Sequence, residues 1–60
     1  MSGADLVHHL QRELARVKRD EKALWEAGAH PAELLLKRVD AVELERKIAQ
    51  AVIAAREEAA

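Results

Sequence analysis

The 60-residue sequence contains no cysteine, phenylalanine or tyrosine, and only one tryptophan, one proline and two glycines. Without cysteine there can be no disulfide and no thiolate metal site. With Trp25 as the only aromatic, there is no platform on which nucleic-acid bases could stack. Ser2 is the only hydroxyl-bearing side chain. It is best explained as a helix cap, so no nucleophile arrangement is expected and the chain reads as not an enzyme. A glycine-rich phosphate loop is missing too. No apolar run approaches the roughly 18 residues of a membrane-spanning helix. The start lacks the basic-then-apolar order of a signal peptide, so the default expectation is a cytoplasmic protein.

Charge is plentiful but balanced: 35% of residues are charged and the formal net charge is −1. That balance excludes the one-signed field of a nucleic-acid binder. Ala, Leu, Glu, Arg and Lys, all good helix formers, dominate the sequence. Valine and isoleucine recur singly at helical spacing, which argues against strands. Sixty residues allow one domain, and a chain this short buries only about 60% of its unfolded surface. Such folds gain stability from disulfides, metals or oligomerisation.

The middle of the chain carries its clearest signal, Gly28-Ala29-His30-Pro31. Glycine ends helices and proline begins them, so this order predicts two helices joined by a tight turn. Helix 1 is expected over about 3–27, with Ser2 and Asp5 at capping-box spacing and Met1 stapling Leu6. The turn is expected at 28–30, with His30 capping helix 2 and Glu33 against its positive dipole end. Helix 2 is expected over about 31–57, fraying into an Ala-rich tail. The expected fold class is all-α, an antiparallel helical hairpin forming one domain over 1–60.

Helix 1 carries one apolar stripe: Val7, Leu10, Leu14, Val17 and, past a gap at Glu21, Leu24. Helix 2 carries two. Ala41, Leu44, Ile48, Ala51 and Ala55 form one; Leu35, Val39, Val42, Ala49 and Ile53 form the other. A helix packed only on its hairpin partner needs a single stripe. Two stripes therefore predict a homodimer, two hairpins closing a four-helix bundle of coiled-coil type. Leu10, Leu14, Val17, Leu35, Val39, Val42, Ile48 and Ile53 are the expected interface residues. The alternative is that the second stripe serves as a helix-binding surface for another helical protein, making the chain a small regulator or adaptor. No membrane or nucleic-acid partner is expected.

With the turn centred near Ala29, residues whose numbers sum to about 58 or 59 should lie level. This opposes Glu21 to Arg38 as a partly buried ion pair, either a register device or a boundary salt bridge worth about 0–1 kcal/mol. Trp25 is expected to close the bundle end over Leu35. No metal or cofactor is expected. The nearest approach to a metal set is His8, His9 and His30, with Asp5, His9 and Glu13 four apart on one stripe.

Leu24 to Leu34 resembles the α-hairpin tip of bacterial periplasmic efflux adaptors. Leu24 and Gly28-Ala29 match it, while Asp20 stands where that tip has Arg and Pro31 stands near its Ser. What the resemblance implies is a helical hairpin, and no functional residue carries over. The two-helix plan is also similar to that of small dimeric plasmid-copy regulators. Their RNA-binding basic and aromatic residues have no counterpart here. The regular start and turn suit a designed protein; the charged interruptions and the His cap suit a natural one.

Overall fold

A computed structural model describes residues 2–59, and the described residues are helical apart from Ser2 and the inter-helix turn. Helix α1 spans Gly3–Glu26 and helix α2 spans Pro31–Ala59. They pack side by side as a hairpin measuring 47 × 14 × 12 Å.

Each boundary has a local cause. Ser2 is extended, with φ −73° and ψ 162°, and its Oγ accepts the Asp5 N–H at 3.2 Å. The Met1 staple lies outside the described residues. At the other end of α1, Gly28 has φ 77°. The Ala29 N–H donates to the Leu24 carbonyl at 2.9 Å and the Gly28 N–H to the Trp25 carbonyl at 3.1 Å. These two crossed bonds are a Schellman cap, which uses up two carbonyls that the helix leaves free. His30 then caps α2: its Nδ1 accepts the Ala32 N–H at 3.1 Å. Imidazole here does what a Ser or Asp oxygen does more commonly. Pro31 takes the first helical position, where no N–H is needed.

The inward face of α1 is Gly3, Val7, Leu10, Leu14, Val17, Glu21 and Leu24; all are half-buried except Leu10, which is buried. The inward face of α2 follows Leu34, Lys37, Ala41, Leu44, Ile48, Ala51 and Ala55, with Ala41 and Ala51 buried. Both series step alternately by three and four, the spacing that keeps one stripe on a neighbouring helix along its whole length. At the open end the helices approach closely: a Cβ built on Gly3 would stand 2.9 Å from the Ala55 Cβ. Only a residue without a side chain fits there.

α2 continues through Ala59, two residues beyond its expected end. The tail expected to fray lies beside the start of α1, where Ala4, Val7, Ala55 and Ala59 line one shallow groove.

The core is thin. Leu10, Ala41 and Ala51 are the only buried apolar residues among those described, and no polar side chain is buried. The turn therefore contributes noticeably to stability. At Gly28 an added Cβ would meet nothing within 4 Å. Gly28→Ala should thus cost only the left-handed backbone penalty, about 1–2 kcal/mol, and Gly28→Asn less. Chemical denaturation at fixed protein concentration reads both.

Candidate interaction surface

Among the described residues, three ion pairs join the two helices and one histidine–carboxylate contact lies beside the seam. Arg38 Nε donates to Glu21 Oε1 at 2.9 Å, Lys37 Nζ lies 3.7 Å from Asp20 Oδ2, and Lys18 Nζ lies 3.9 Å from Glu45 Oε1. The histidine contact stays within α1: His9 Nε2 is 3.0 Å from Glu13 Oε1, four residues on. The three inter-helix pairs join opposite charges across both borders of the seam, so sliding one helix past the other would break all three.

The Glu21–Arg38 contact departs in one respect from the expected partly buried pair. The Glu21 side chain is 25% exposed, but that of Arg38 is 71% exposed. The seam position on α2 belongs to Lys37, which is half-buried; Arg38 sits one residue further round and reaches back across the rim. The wheel of α2 pointed to Arg38 as the interruption and missed Lys37. The unbroken three-four spacing from Leu34 through residue 37 to Ala41 carried that signal.

Trp25, expected over Leu35 at the bundle end, is exposed within the single hairpin. It follows the seam residue Leu24, so a turn of about 100° carries it off the contact line. Its exposure is 69%. It flanks an open groove with Pro31, Leu34, Leu35 and Arg38, next to the leucine it is expected to cover.

The expected interface residues divide into two groups. Leu10 is buried and Leu14, Val17 and Ile48 are half-buried in the seam within the hairpin. Leu35, Val39, Val42 and Ile53 are exposed by 62%, 46%, 54% and 56%, and Leu36 by 67%. These last five lie on the outside of α2. By contrast, Leu6 is the only large aliphatic residue of α1 among the exposed set. The outer face of α2 is therefore the one extended apolar surface without a partner in the hairpin. Single exposed apolar residues are commonplace, but a helix-long row is not.

His8 and His9 are exposed near the start of α1, and His30 is in the turn at the opposite end. Among the described residues no three His, Asp or Glu side chains gather as a metal-binding group. No described helix is long and apolar enough to cross a membrane. Compared with protein-family models, curated proteins and solved structures, the chain matches none.

An exposed ion pair has to overcome side-chain entropy and solvent screening. A double-mutant cycle with Glu21→Ala and Arg38→Ala should therefore give a coupling energy of about 0–1 kcal/mol. Urea denaturation of the four proteins measures it, and a coupling well above this range would mark a pair that controls register on its own.

Proposed function

We propose that the chain is a self-association module: two hairpins pair through the outer face of α2 into a four-helix assembly that serves a structural or scaffolding role. The observation that carries this reading is the exposed row Leu35, Val39, Val42 and Ile53. Surface area supports it independently. A compact 6.7 kDa monomer exposes about 3,900 Å². The hairpin exposes 4837 Å². The excess of about 900 Å² reflects an elongated hairpin with surface to spare, enough to supply the roughly 800 Å² that each partner contributes to a standard interface.

Sedimentation equilibrium tests the proposal. The wild-type chain should sediment at twice 6.7 kDa, with or without zinc and with or without chelator. Val42→Lys places a charge on the outer row without touching the seam. It should sediment as a monomer with unchanged helical circular dichroism. A monomeric wild type would overturn the proposal in favour of a helix offered to a different protein. Zinc-dependent assembly would overturn it in favour of metal binding through His8, His9 and His30.

A further inference from the structure

The outer row of α2 is more than apolar; its order is self-complementary. Continued at alternating three-four spacing, the row reads Leu35, Val39, Val42, Arg46, Ala49 and Ile53. At 100° per residue its mean direction lies about 150° around α2 from the inward seam. A closed square bundle needs the two contact faces of a helix roughly 90° apart. Here a second neighbour would stand almost opposite α1.

In an antiparallel pairing of two α2 helices there is one register in which every member of the row has a counterpart. Leu35 faces Ile53 of the second copy, Val39 faces Ala49, and Val42 faces Arg46, each pair occurring twice about a two-fold axis near Leu44. A parallel, in-register pairing would instead set Arg46 directly against Arg46. Charge chooses between the two. Arg46 and Glu43 border the same open groove, with Leu35, Val39 and Val42. Among the described residues neither has an ion-pair partner within the hairpin, whereas Arg38 and Glu45 on the same helix are engaged with α1. In the antiparallel register the Arg46 stem lies over Val42 of the other copy and its guanidinium reaches that copy's Glu43. The two-fold axis repeats the contact, so two arginines alternate with two glutamates. The two free charges on the face thus become each other's partners, and Arg46 ceases to be a flaw in the row.

From these observations we infer that the occupant of this face is a second copy of the chain, its α2 antiparallel to the first, in a row of helices α1–α2–α2–α1 centred on reciprocal Arg46–Glu43 pairs. The inference rests on the α2-mediated dimer proposed above, and its test separates the two.

Because the chain has no cysteine, single cysteines report orientation cleanly. Under mild oxidation Leu35→Cys alone and Ile53→Cys alone should stay unlinked, while an equimolar mixture of the two should give disulfide-linked dimers. Charge variants report the pairing. Arg46→Glu should raise the dimer dissociation constant at least about tenfold, because like charges then meet at the centre. Adding Glu43→Arg to the same chain should return it to near the wild-type value. Self-linking by each single-cysteine variant in a wild-type dimer would overturn the antiparallel arrangement and leave the dimer standing. So would failure of the second charge change to restore association. A monomeric wild type would overturn both.

Discussion

Two helices lying side by side share one line of contact, and the rest of this structure follows from how little such a line can bury. Each turn of helix contributes one or two side chains to it. In this hairpin four of those, Gly3, Ala41, Ala51 and Ala55, are alanine or glycine, and two positions, Glu21 and Lys37, are charged. Small residues let the backbones approach closely but remove little apolar area from water. Close approach at Gly3 and Ala55 and the burial of Leu10 are what the seam achieves. Conformational entropy, at roughly 1–2 kcal/mol for each ordered residue, is a large opposing term for so thin a core. A separate source of stabilisation is therefore expected on thermodynamic grounds, before any surface is inspected.

Local chemistry does part of that work. The crossed hydrogen bonds over Gly28 and the His30 cap satisfy backbone groups that a tight reversal would otherwise leave exposed. They also fix the phase of the two helices. Once phase is fixed at the turn, level positions are fixed for the full 47 Å of the hairpin. Opposite charges consequently meet at Asp20–Lys37, Glu21–Arg38 and Lys18–Glu45. Individually, exposed pairs of this kind contribute little. Together they penalise any shifted register, which a short alanine-rich seam would penalise only weakly. Specificity here comes from the rim and the turn more than from the core.

The sequence conveyed the parts of the fold that depend on residue type at a fixed place. Ser2, Gly28 and Pro31 each have one favoured role at a helix end, and the structure uses each in that role. The two stripes of α2 were also evident, because period is a property of order alone. What order could not decide was the fate of residues at the edge of a stripe. Trp25 and Arg38 each sit one position from a seam residue, an offset of about 100°. Whether such a side chain folds inward or lies along the rim depends on the gap left by its neighbours. For Arg38 the answer is set by Glu21 across the rim, and for Lys37 by a long stem that can pass the seam while its ammonium meets Asp20. Trp25 stays outside because Leu24 already takes the contact position at that level.

The two helices are unequal, and that inequality carries the functional argument. α1 presents one apolar face, already covered by α2, and charged residues such as Arg12, Arg16, Arg19 and Lys22 on its other sides, all exposed. α2 is apolar on two nearly opposite sides and polar in between. A helix of the first kind belongs at the boundary with water, and one of the second kind belongs between two neighbours. Within a single hairpin only one neighbour exists. Any assembly that satisfies both helices must put α2 inside and leave α1 outside. A second copy meets that requirement with surfaces the chain already has, including the opposite charges of Glu43 and Arg46. A different partner would have to supply a matching acidic or basic group at the same height. The arrangement in which the chain serves as its own partner needs no further assumption about charge, and it accounts for an arginine in the middle of an apolar row.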